Sequence, residues 1–122
     1  MRLIGIGLVA FAISVAPALA LSPDDAKAAA SKFATLAGAS KFEEAAQLLV
    51  GDDAANVKFL KGYWGKVTDA AGAFVAAHQA EVKGPDAQRK VRIDLEFQSG
   101  SHYMILEFTD DKISKFTVMD LL

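Results

Sequence analysis

The sequence predicts an α+β domain: N-terminal helices packed on a curved antiparallel sheet of about four strands. Three observations predict it. Between Ser22 and Gly72 apolar residues recur at helical spacing. From Ala73 onward they alternate with polar ones. The alternating runs are separated by the short turn signals Ser99-Gly100 and Asp110-Asp111, which leave room only for antiparallel neighbours.

Ser22 is a good N-cap, Pro23 suits the first helical position, and Asp24 and Asp25 stand where the helix dipole favours carboxylates. The first helix then runs to about Ala37, with Ala26, Ala29, Ala30, Phe33, Leu36 and Ala37 as its apolar stripe, and Gly38 ends it. Ser40-Lys41-Phe42-Glu43 reads as a capping box opening a second helix to about Leu49 that buries Phe42, Ala45, Ala46 and Leu49. Gly51-Asp52-Asp53 breaks it. The third helix covers roughly Ala54 to Ala71, with Val57, Leu60, Trp64 and Val67 on one line, Gly62 and Gly65 inside it, and Gly72 closing it. Those two glycines either admit a close neighbour or mark a break.

The strand half opens with weak alternation from Phe74 to Val82, followed by a turn at Gly84-Pro85-Asp86. That phase sets His78 on the face of Phe74, Ala76, Ala80 and Val82, with Gln79 and Glu81 opposite. Val91, Ile93, Leu95 and Phe97 then alternate with Arg92, Asp94 and Glu96. A two-residue loop at Ser99-Gly100 pairs Phe97 with His102, Leu95 with Met104, Ile93 with Leu106 and Val91 with Phe108, and sets Arg92 against Glu107. The last hairpin turns at Asp110-Asp111 and carries a conflict. Plain alternation places Ile113 inward but Phe116 and Val118 outward. Either a bulge near Ser114 and Lys115 turns them back to the core, or Tyr103, Ile105, Phe116 and Val118 form an outer apolar patch covered by a partner.

Residues 1–20 read as a secretory signal peptide, and 21–122 as one domain. Arg2 is the leader's only charge, Leu3 to Val15 is apolar apart from small residues, and Ala18-Leu19-Ala20 is a small-x-small cleavage site. The rival reading is an uncleaved anchor from Leu3 to Ser22, since roughly 20 apolar residues span a bilayer. Gly5, Gly7, Ser14 and Pro17 interrupt that run. The expected compartment is therefore outside the cytoplasm, periplasmic or secreted, with no membrane attachment after cleavage. Of 13 Lys plus Arg, Arg2 leaves with the leader, so 12 face 15 Asp plus Glu, three net negative charges spread along the chain. No basic stripe recommends nucleic acid or an anionic membrane surface as partner. The chain has no cysteine, so neither disulfides nor thiol-zinc sites are available to it.

Several stretches together resemble the nuclear-transport-factor-two-like superfamily, a cystatin-like cone: Trp64-x-x-Val67, Gly72-x-Phe74, the run Val91 to Phe97, and Leu106-Glu107-Phe108-Thr109-Asp110-Asp111-Lys112-Ile113. The likeness spans roughly Asp24 to Val118. It implies helices covering the concave face of a bent sheet, and it carries no catalytic residue across. Members include isomerases, dehydratases, hydrolases and non-catalytic binding or dimerisation modules.

The candidate site residues are few. His78, aimed into such a cone, is a weak candidate general base, with Asp120 the nearest carboxylate by topology. His102 sits next to the Ser99-Gly100 turn and reads as a half-exposed residue with no special role. Tyr63, Trp64, Phe74, His78 and Met104 are candidates to line a ligand cavity, with the Tyr63 hydroxyl at its mouth. Asp24-Asp25, Asp52-Asp53 and Asp110-Asp111 sit at helix starts or turns, where acidic residues need no metal. No metal and no cofactor is expected. Nucleophile elbows, phosphate-binding loops and dinucleotide fingerprints are absent. The expected function is that of an exported, non-catalytic binding or interaction module, as a homodimer or with an envelope protein. The alternatives are a small isomerase- or hydrolase-type enzyme using His78, or a carrier of a small apolar ligand.

Overall fold

In the computed structural model, which describes residues 22–84 and 89–119, three helices lie against one face of a four-stranded antiparallel sheet. The segment read as a leader, Pro85, Asp86 and Asp120 lie outside the described residues.

Helix α1 spans Pro23–Gly38, and the Ser22 hydroxyl accepts from the Asp25 amide at 3.1 Å, as the capping pattern requires. Its C-terminus departs from expectation. Ser40, at φ 61°, is the left-handed residue that ends the helix. Its amide donates to Ala37 O (3.0 Å) and the Lys41 amide to Leu36 O (2.9 Å), which is a Schellman closure. The Ser40 capping box is therefore corrected: Ser40 closes α1 and does not open α2. Helix α2, Phe42–Ala46, starts from Lys41 with no side-chain cap. It also stops short of Leu49. Leu48 to Val50 instead runs beside Ile113, with Ile113 N donating to Leu48 O and Val50 N to Ile113 O, both at 2.9 Å. Helix α3 covers Asp53–Ala71, its first turn held by Asp52 Oδ2 accepting from Ala55 N at 2.9 Å. It passes unbroken through Gly62 and Gly65. A β-carbon at either would meet nothing within 4 Å, so neither glycine serves an internal close approach. Gly72, at φ 82°, turns the chain into the sheet, and a β-carbon there would stand 2.9 Å from Gln98 Cβ.

The strands β1 (Phe74–Lys83), β2 (Lys90–Phe97), β3 (Gly100–Thr109) and β4 (Lys112–Met119) pair in sequence order. The β2–β3 register differs from the expected one by two residues. Gln98 and Ser99 form the turn, Phe97 pairs with Gly100, Leu95 with His102, Ile93 with Met104 and Val91 with Leu106. Arg92 accordingly faces Ile105, and Lys90 takes the place opposite Glu107. The turn is pinned from outside the hairpin. Ser99 N donates to Ala71 O and Gln98 N to Ala73 O, both at 3.0 Å, while Gln98 Oε1 accepts from Ala73 N at 3.1 Å. A two-residue slip keeps every side chain on its face, so the alternation cannot distinguish the two registers. Val91, Ile93, Leu95, Phe97, Met104, Leu106 and Phe108 are all buried as expected.

In β3–β4 the bulge is the alternative the chain adopts. Phe108 pairs with Ile113 and Glu107 with Lys115, which leaves Ser114 as the surplus residue, its hydroxyl donating to Glu107 O at 3.1 Å. Leu106 then faces Phe116 and Met104 faces Val118. Phe116 and Val118 are 8% and 5% exposed. The four-residue outer patch is thereby corrected: Tyr103 and Ile105 stay half-buried on the outer face, and Phe116 and Val118 join the core.

Strand β1 carries two further irregularities, one at Val75 and one at His78-Gln79. They change its phase. Phe74, Ala77, Ala80 and Val82 face Phe97, Leu95, Ile93 and Val91 on the core side. Unbroken alternation would have set an imidazole against Leu95 and Ile93 at a desolvation cost, and the bulge substitutes the Ala77 methyl. The core between the layers is aromatic at both ends. Trp64 lies 6.1 Å from the Phe74 ring and 6.0 Å from Phe97, while Phe33 meets Phe116 at 5.0 Å.

Candidate functional site

Of the five residues expected to line one cavity, Trp64 and Phe74 border a shared hollow, while Tyr63, His78 and Met104 stand elsewhere. Trp64 and Met104 are core residues at 3% and 0% exposure. Phe74 is half-buried, its ring edge-on to Phe97 at 5.6 Å, and it packs where a methyl on Gly38 would overlap it. His78 stands on the outer face of the sheet, its side chain 53% exposed, and its inward orientation is corrected by the bulge beside it. The enzyme reading placed the His78 imidazole inside a cone, and the carrier reading placed these five side chains around one cavity.

The outer sheet face gathers the polar groups. His78 Nε2 lies 2.9 Å from Glu96 Oε1, with the carboxylate side chain also 47% exposed. Arg92 stacks its guanidinium over Tyr103, 4.0 Å from the ring centroid, and its Nε is 3.5 Å from Asp94 Oδ1. Half-exposed pairs of this kind contribute little stability, because water screens them. They make a charged, exposed face on which His78 pairs with Glu96 and Arg92 with Asp94 and Tyr103. His102 is a half-buried residue of β3 opposite Leu95: its ring is edge-on to Phe97 at 5.6 Å, its Nε2 is 3.3 Å from Ser99 Oγ, and its Nδ1 is buried without a hydrogen-bond partner. Of the acidic pairs, Asp52 caps α3 and Asp110 takes a left-handed turn conformation at φ 57°. Among the described residues no three His, Asp or Glu side chains gather as a metal site.

The α3–β4 side is different. Tyr63 does not point its hydroxyl at a cavity mouth; that oxygen accepts from the Val118 amide at 2.8 Å. Since β4 is the last strand of the sheet, the tyrosine satisfies an edge N–H that no further strand among the described residues reaches. The Leu48–Val50 segment does the same service further along the strand, at Ile113. Tyr63→Phe is expected to lose about 1 kcal/mol in urea denaturation, and to speed hydrogen exchange at the Val118 amide well beyond that of its neighbours.

Next to Tyr63 stands the feature that the sequence reading passed over. Phe59 is 55% exposed although it is aromatic. It is held in place from behind, stacked on Tyr63 at 5.7 Å and edge-on to Phe116 at 5.8 Å. Val50, half exposed, shares with it a concavity of about 200 Å³ that reaches Ile113 and Phe116. On its other flank an open groove of about 470 Å³ runs along α3 past Ala55, Lys58, Gly62, Tyr63 and Lys66. A signal for it existed. Phe59 lies one residue, about 100° of helix, away from the Leu60–Trp64–Val67 line, so the core stripe had no use for it.

Comparison of the chain with protein-family models, with curated proteins and with solved structures gave no match.

Proposed function

We propose that this chain is an exported, non-catalytic interaction module on a nuclear-transport-factor-two-like cone, and that it meets its partner through the side of α3 bearing Phe59. The leader sequence supports export. Three bulges, two in β1 and one in β4, support a bent sheet of the cone kind, since each adds local twist and curvature. The observation that carries the functional reading is Phe59 itself: a large apolar ring, over half exposed, braced by two aromatic neighbours and bordered by the exposed Val50. Covering the exposed half of such a ring contributes on the order of 1 kcal/mol, and aromatic anchors of this sort dominate interface energetics.

The test is site-specific photocrosslinking in the cell that makes the protein. A photoreactive phenylalanine analogue at position 59 is expected to give a discrete adduct. The same analogue at Glu81 on the outer sheet face is expected to give none. No adduct at 59, or equal adducts at both positions, would defeat the reading.

A further inference from the structure

The groove along α3 says more about its occupant than that it is apolar. Ala55, Lys58, Phe59, Gly62, Tyr63 and Lys66 line it, one face of three helical turns and about 16 Å long at 1.5 Å per residue. At its centre is Gly62, where a β-carbon would meet nothing within 4 Å, so the α3 backbone is open to close approach from outside. The adjoining concavity at Phe59 adds Lys115. Three lysines therefore border the two hollows, and no carboxylate is among the residues lining either, in a chain whose formal net charge is −2.

This charge arrangement argues against a second copy of the chain. Lys58 and Lys66 each stand four residues from Gly62. Antiparallel self-pairing across Gly62 would set Lys58 of one copy against Lys66 of the other, and parallel pairing would oppose each lysine to itself. Like charges brought together in this way are unfavourable and act as a specificity device. A foreign helix with carboxylates beside its apolar stripe has the complementary sign. It would present apolar side chains at i, i+3, i+4 and i+7 to Phe59 and lay its backbone near Gly62.

We propose that the α3 groove receives an acidic amphipathic helix of another protein, seated on Phe59 and Gly62 between Lys58 and Lys66. The inference rests on the interaction-module reading and names the chemistry of the partner.

The test uses the folded protein and two synthetic helical peptides of about 15 residues, long enough to hold helix on binding. Both carry the same Leu stripe, flanked by Glu in one and by Lys in the other, and binding is read by fluorescence anisotropy. The Glu peptide is expected to bind at least about tenfold more tightly than its Lys twin at low salt, the gap narrowing as salt rises. Phe59→Ala should weaken it about tenfold or more. Gly62→Ala should raise the melting temperature of the free protein, because alanine is the better helix former, and yet weaken the peptide. Gly65→Ala, which lies with Lys61 and Trp64 on the next face, should raise the melting temperature similarly and leave peptide binding unchanged. Any of four results would overturn the proposal. These are equal binding of the two peptides, binding indifferent to Phe59→Ala, preferential binding to phosphatidylserine vesicles, or self-association abolished by Phe59→Ala. If position 59 crosslinks in the cell while the Glu peptide fails, the module stands and the acidic helix falls. If neither gives a signal, both fall.

Discussion

Phe116→Ala is expected to lose about 3–5 kcal/mol of folding stability, read as a lowered urea midpoint with unchanged slope. The side chain is 8% exposed and its ring meets Phe33 at 5.0 Å, Tyr63 at 5.2 Å and Phe59 at 5.8 Å. It joins the last strand to both α1 and α3. Truncation would remove its contacts with three rings and deepen the concavity it already borders, a cost in the usual range for a phenylalanine truncated in a core. The result also separates the two arrangements open to β4 in the sequence. A phenylalanine on an outer, partner-covered patch would cost the isolated domain under about 1 kcal/mol, and its loss would show in association instead.

Trp64→Ala is expected to be as damaging, again about 3–5 kcal/mol, measured by far-UV circular dichroism in urea because this is the chain's one tryptophan and its fluorescence goes with it. Trp64 joins the middle of α3 to the start of the sheet through Phe74 and Phe97. Were it the wall of an open ligand cavity, the free protein would tolerate its removal with a much smaller loss. The size of the effect therefore reports directly on whether the helices pack the covered face of the sheet without a gap.

The faces of the strands were legible because alternation has a period of two and β2 and β3 obey it from Val91 to Phe108. The register was not, for the same reason: a shift of two preserves every face. What decides it is the contact of Gln98 and Ser99 with Ala71 and Ala73, more than twenty residues earlier in the chain, which no local pattern reveals. The bulge in β4 announced itself as a contradiction, since Phe116 and Val118 were out of phase with Ile113. The bulges in β1 gave no such warning. A run of alanines has no strong preference for either face, so His78 could be placed by simple counting and was placed wrongly. Ser40 misled for another reason. Serine three residues before a glutamate fits a helix start, but the preceding helix needed a left-handed residue at the same position, and its closure took precedence. The candidate site was the least legible part. Phe59 belongs to no motif, and its exposure follows from how α3 is rolled against β4.

The order of the strands has a consequence for how the chain acquires its shape. Each strand joins the one that precedes it in sequence, so the sheet can zip forward hairpin by hairpin with little loop-closure entropy to overcome at each step. The exception is the seam where the stretch after α2 meets the beginning of β4, with Lys112 Nζ reaching Gln47 O, 65 residues away in sequence. That seam has no surface to close on until the final hairpin exists. It is the clasp of the assembly, and the Phe59 side of α3 takes its finished form only when it shuts.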